Sequence, residues 1–181
     1  MKKKFGNAFL YCLLISTAVV AAGHANSSER NEKNLKNIPF NTIDGSTYLS
    51  FIKNWDDKKQ PVICGWIRSP SDWDKLFSPA MTMHAKAPTA PPLSFYDSKQ
   101  ILVVARVVSA PSDAERGKVF KANAVKVGNG VLRLVYQYRE PKPGASYQIK
   151  DSLLVGIPKG AYISDTVQFI ENDKPVCDVK V

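Results

Sequence analysis

The chain has 181 residues, 44% of them hydrophobic and 23% charged. That suits one globular domain with a tail, and excludes a chain disordered throughout, a collagen and a coiled coil. The net charge of +9 admits anionic partners, from nucleic acid to acidic polysaccharide.

The first segment reads as a secretory signal peptide. Lys2, Lys3 and Lys4 form a positive start, Phe9 to Ala22 is apolar and uncharged, and Gly23-His24-Ala25 offers small residues for cleavage after Ala25. The apolar run is short for a membrane span, so no integral membrane segment is expected after cleavage. The implied localisation is periplasmic or secreted. Losing residues 1–25, which hold three lysines and no acid, lowers the charge from +9 to +6. An exported protein rarely meets nucleic acid, and no dense basic run is present. The lysines therefore read as a solubilising surface.

Residues 26–37 form a polar leader with little to bury, and residues 38–181 form a single β-rich domain. Tyr48 to Lys53 alternates as a strand, and Pro61 to Ile67 is the next strand. Ser69-Pro70-Ser71-Asp72 opens a short helix: a capping serine, a proline at the first helical position, and an acid three residues after the cap. Trp73, Leu76 and Phe77 share one face of it, and Ser78-Pro79 ends it. Ala80 to Pro92 is an extended, proline-rich loop.

Ile101 to Val108, apolar except for Arg106, is the candidate central buried strand. A polar loop, Ala110 to Gly117, leads to a strand at Val119 to Val127. Gly128-Asn129-Gly130 signals a hairpin into Val131 to Arg139, where Leu132, Leu134, Tyr136 and Tyr138 line one face. Glu140 to Gly144 is a turn cluster. Strands follow at Tyr147 to Ile157, Ala161 to Ile170 and Val176 to Val181. The fold class is mainly β with one short helix (α+β), as an antiparallel β-sandwich or open barrel.

Signal cleavage leaves two cysteines, Cys64 and Cys177, in a compartment where disulfides persist. Their one intramolecular pairing closes a loop of about 110 residues. The alternative is two free or intermolecular thiols.

No catalytic residue, cofactor site or metal site is assigned. His84 is the one histidine left, and it lies in the proline-rich loop, a poor place to hold a base. No Gly-x-Ser-x-Gly, His-Glu-x-x-His or phosphate-binding glycine motif is present. Asp72, Asp74, Asp97, Glu115 and Glu140 could supply a carboxylate pair, but surface solvation is the simpler role for each. The cluster Met81-Thr82-Met83-His84 carries ligand types that suit Cu(I). Its structural alternative is two packed thioethers and a solvent-facing imidazole. Trp55, Trp66 and Trp73 could stack on sugars in a cell-envelope or carbohydrate-binding module; each also lies beside an apolar segment, as a core aromatic would.

Several stretches resemble the PrcB family of exported protease-complex subunits. They are Trp66 to Trp73, Leu93 to Asp97 leading into Ile101 to Val104, Tyr138 to Gly144, and Leu153 to Lys159, within residues 66–160. The chain departs from the family after the central strand, where a Thr-Gly-Gly-Tyr-like turn is replaced by Ser109 to Gly117. The resemblance implies a small β-rich domain that acts by contact with a protein partner, a protease, and carries no active site of its own. The chain also resembles immunoglobulin-like cysteine-protease inhibitors in general build, without their signature loops. The expected contact surfaces are the loops Ala80–Pro92, Ala110–Gly117 and Pro141–Ser146, since rigid sheets commonly carry function on loops.

Overall fold

Ile101 to Ala105 is fully buried, and the architecture follows from covering this strand on both faces. The computed structural model describes residues 35–80, 87–160 and 162–180. The expected signal peptide, most of the leader, and Met81, Met83 and His84 lie outside the described residues.

Among the described residues the chain forms eleven strands and two short helices. They are β1 (Lys36–Ile38), β2 (Asn41–Ile43), β3 (Ser50–Ile52), β4 (Val62–Ile67), α1 (Pro70–Leu76), β5 (Phe77–Pro79), α2 (Phe95–Ser98), β6 (Lys99–Pro111), β7 (Phe120–Gly128), β8 (Val131–Tyr138), β9 (Pro143–Pro158), β10 (Thr166–Glu171) and β11 (Lys174–Lys180). β1 thus starts inside the expected leader. β5 lies where Ser78-Pro79 signals a helix stop, and α2 where the sequence pattern predicts no element.

Three layers result. A five-stranded sheet runs β1-β7-β8-β10-β11, a four-stranded sheet runs β2-β9-β6-β4, and β3 pairs with β5. Leu102 and Val104 of β6, with Leu153, Val155 and Ile157 of β9, meet Leu132, Leu134, Tyr136, Val167 and Phe169 of the larger sheet. On the opposite face, Ile101, Val103 and Ala105 pack under Trp73 of α1, Phe77 of β5 and Ile52 of β3. A strand covered on both faces needs no polar alternation, which is why β6 reads as an unbroken apolar run.

α1 starts as its sequence predicts. The Ser69 hydroxyl accepts from the Asp72 N–H at 3.2 Å, and the Asp72 carboxylate accepts from the Ser69 hydroxyl at 2.9 Å and the Arg68 N–H at 3.1 Å. Its Trp73 stacks on Phe77 at 4.3 Å between ring centroids. The β7–β8 turn has Asn129 at φ 53° and Gly130 at φ 73°, the pair of positive values that a two-residue hairpin of native twist requires.

The β-sandwich is therefore present, and one pairing departs from the antiparallel rule. β10 lies parallel to β8, with Thr166 opposite Val131 and Glu171 opposite Tyr136. After β8 the chain crosses to β9 in the other sheet and returns, so β8 and β10 enter their sheet from the same end. Turn chemistry announces hairpins between consecutive strands; it carries no record of a strand that changes sheet.

Cys64 and Cys177 are at disulfide distance, with Cα atoms 6.6 Å apart, inside the range that a disulfide spans. Cys64 is on β4 and Cys177 on β11, the last strand of each sheet. The pair closes one lateral seam of the sandwich. The other seam is bridged by β1, Pro39-Phe40 and β2, which cross from one sheet to the other. No described helix is long and apolar enough to cross a membrane.

Candidate functional site: the open seam

β1 and β2 are three residues each, and their shortness creates the site. β1 pairs with Val125 to Val127 of β7, and β2 with Leu154 to Gly156 of β9. On that side Phe120 to Ala124 of β7 and Pro143 to Leu153 of β9 have no strand partner among the described residues. Two bare sheet edges thus face the same seam. Between them lies a groove of about 600 Å³, lined by Thr42 to Ser46, Arg116, Phe120, Tyr147, and Ile149 to Leu153.

The groove has an acidic and a basic end. At the acidic end, a Cβ placed on Gly45 would sit 3.7 Å from the Ser152 carbonyl oxygen, so the Asp44–Ser46 turn lies against β9 there. The Asp44 carboxylate accepts from the Ser46 hydroxyl at 2.7 Å and the Ser46 N–H at 2.8 Å. These bonds hold its pKa below the usual carboxylate range. Asp151 lies nearby and titrates in the opposite sense. Burial pushes its carboxyl up, the Asp44 charge adds to this, and the Ser152 N–H only partly offsets them.

At the basic end, Gly144 of β9 packs on the loop after β6. A Cβ there would fall 2.6 Å from Ser112 Cα, closer than non-bonded atoms approach, so glycine is required. The Ser112 N–H donates to Lys142 O at 3.3 Å, and the Arg116 N–H to Ser112 O at 3.2 Å. These contacts bring Arg116 beside the start of β9, where it pairs with the exposed Asp113 at 3.2 Å.

Lys150 faces the other side of β9, with its ammonium 5.1 Å over the Trp55 ring and donating to Trp55 O at 3.2 Å. Two aromatics stay open near the seam, Tyr147 at 63% and Phe51 at 53% exposure. A second shallow depression runs from Phe51 past Asn54 and Trp55 to Lys150.

Two of the expected contact loops therefore come together. Ala110–Gly117 and Pro141–Ser146 meet at Ser112 and Gly144. Neither is simply a loop: β6 extends to Pro111 and β9 begins at Pro143, with these two prolines opposite each other. Backbone pairing carries the ribbon beyond the apolar pattern that marks each strand. Of the third, Ala80–Pro92, residues 81–86 lie outside the described residues.

Three of the carboxylates noted in the sequence are held by other partners. Asp72 caps α1. Glu115 pairs with Arg139 at 2.6 Å. Glu140 accepts from the Tyr138 hydroxyl and from the Ser109 N–H. Trp73 and Trp55 are 3% and 7% exposed, and the Trp66 indole donates to Gln100 Oε1 at 2.7 Å; all three serve packing.

Asp44 and Asp151 were missed as site residues. Asp44-Gly45-Ser46 is a visible turn signal, and Lys150-Asp151-Ser152 is the polar stretch just before the apolar end of the strand, Leu153 to Ile157. Only the fold shows that the two segments meet. No family model, curated protein or solved structure matches this chain.

Proposed function

We propose that the chain is an exported, non-catalytic domain that binds a protein partner, and that the partner is a protease which it assists or restrains. The observation that carries the binding role is the open seam: two sheet edges without a strand partner among the described residues flank a groove, while Cys64 and Cys177 stand at disulfide distance across the opposite seam. Natural sheets usually cover or blunt their edges. An edge left bare beside a formed groove supports recognition of another chain. The protease identity rests on the resemblance of residues 66–160 to PrcB. Export rests on the signal-peptide pattern, and the Cys64–Cys177 pair is compatible with it.

The test is a crosslinked pull-down of the mature protein from its own envelope and medium, read by mass spectrometry. A protease at near-stoichiometric yield is the expected result, and activity assays then separate activation from inhibition. Recovery of cell-wall proteins with no protease would instead favour an envelope-binding module.

A further inference from the structure

We infer that the free edge of β9 over Ala145–Asp151 binds an extended peptide strand, antiparallel to β9 and in line with β2. This rests on the reading that the chain binds a protein partner, and it assigns that partner's chemistry and orientation.

Three observations lead there. First, the edge is continuous with an existing pairing. β2 runs antiparallel to β9, with Asn41 opposite Gly156 and Ile43 opposite Leu154. One residue later the chain leaves the sheet, because the Asp44 carboxylate draws Ser46 into a 3-10 turn. A strand arriving beyond that point continues the ladder that β2 abandons. From Ala145 to Asp151 the free edge runs about 20 Å, the length of about seven extended residues.

Second, the occupant must bring its own backbone. Peptide N–H and C=O groups on a bare edge are matched by another strand's groups in the same alternation, which is how strand addition gives affinity. The 600 Å³ groove beside the edge leaves room for the side chains of such a strand.

Third, the charges are polar along the groove. Asp44 and Asp151 stand at the Ser152 end, where the Lys150 ammonium turns away onto Trp55, and Arg116, paired with Asp113, stands toward Pro111, which faces Pro143 at the start of β9. A strand antiparallel to β9 places its amino-terminal side near the two carboxylates and its carboxyl-terminal side near the guanidinium. The matching segment has a basic residue or a free amine first and an acidic residue or a free carboxylate last. The reverse orientation sets like charges against each other at both ends.

The experiment uses a synthetic probe of about seven alternating Thr and Val residues, with Lys first and Asp last. It is titrated into the disulfide-bonded protein and followed by backbone amide shifts. Shifts confined to residues 144–153 and the Asp44–Ser46 turn are expected. A probe with Asp first and Lys last should bind at least about fivefold more weakly, as expected for about 1 kcal/mol of charge pairing. N-methylation of alternate probe amides should abolish the shifts. Arg116→Glu, which leaves every strand pairing untouched, should remove the preference between the two charge orders.

No shifts at millimolar probe, shifts elsewhere, or equal binding by the N-methylated probe would overturn the inference. So would the same amides shifting with protein concentration alone, which would assign the edge to a second copy. A protease captured in the pull-down but bound away from β9 would leave the proposed function standing and remove only this site. A bound probe with no protease captured would do the reverse.

Discussion

Replacing Cys64 and Cys177 together with alanine tests how the sandwich is closed. The two residues are 113 positions apart and join β4 to β11 across the seam opposite the groove. Cross-linking a loop of that length lowers the entropy of the unfolded chain by an amount worth about 5 kcal/mol at 25 °C. Domains of about this size lose about 3 °C per kcal/mol, so the thermal midpoint should fall by about 15 °C. Urea unfolding of oxidised wild type and double variant reads the difference directly. Because the effect acts on the unfolded ensemble, the urea slope should also rise as that ensemble expands. Hydrogen exchange should place the largest local loss in β11, an edge strand with little burial of its own. A stability loss below about 1 kcal/mol, or two thiols alkylated in unreduced wild-type protein, would refute the reasoning.

Other substitutions address the interior and the groove. Arg106 of β6 reaches across the sandwich to Glu171 of β10 in a two-point ion pair, 2.6 and 2.9 Å, and the Tyr136 hydroxyl donates to the same carboxylate at 3.0 Å. Arg106→Met alone should cost about 3 kcal/mol in chemical denaturation by stranding a buried carboxylate, and adding Glu171→Met should restore most of it. Asp151→Asn should stabilise at neutral pH. Asp151 has a folded pKa raised above its unfolded value, so its ionisation penalty grows as pH rises through that range and vanishes below the ordinary carboxylate pKa. Melts at pH 7 and pH 3 check this, and equal gains at both would contradict it. Gly144→Ala should cost about 1–3 kcal/mol, because its Cβ meets the Ser112 backbone and displaces the loop that carries Arg116. Thermal melts and probe titration of that variant should both move.

Asp44 and Asp151 shift in opposite senses at one end of the groove. Asp44 is held ionised by the turn that it caps. Asp151 is an acid that burial disfavours, kept where an apolar residue would serve packing better.

Much of the fold is legible in the residues. The Ser69-Pro70 start of α1, the apolar run of β6, the Asn129-Gly130 hairpin and the alternation of β8 are local, because capping, burial and turn geometry act over a few neighbouring positions. The pairing of Cys64 with Cys177 is legible only on the expectation that Cys12 leaves with the signal peptide. Sheet membership is different. β9 leaves its sequence neighbours for the other sheet, β10 returns parallel to β8, and β5 and α2 are too short to announce themselves. Those choices depend on contacts between positions far apart in the chain, which no local pattern records. The groove belongs to the same class. Its parts, the Asp44 turn, the polar Lys150–Ser152 stretch and the Ser109–Gly117 loop, are each visible as a turn or a polar stretch. Only the tertiary structure brings them together, because two short strands end before the edges they cover.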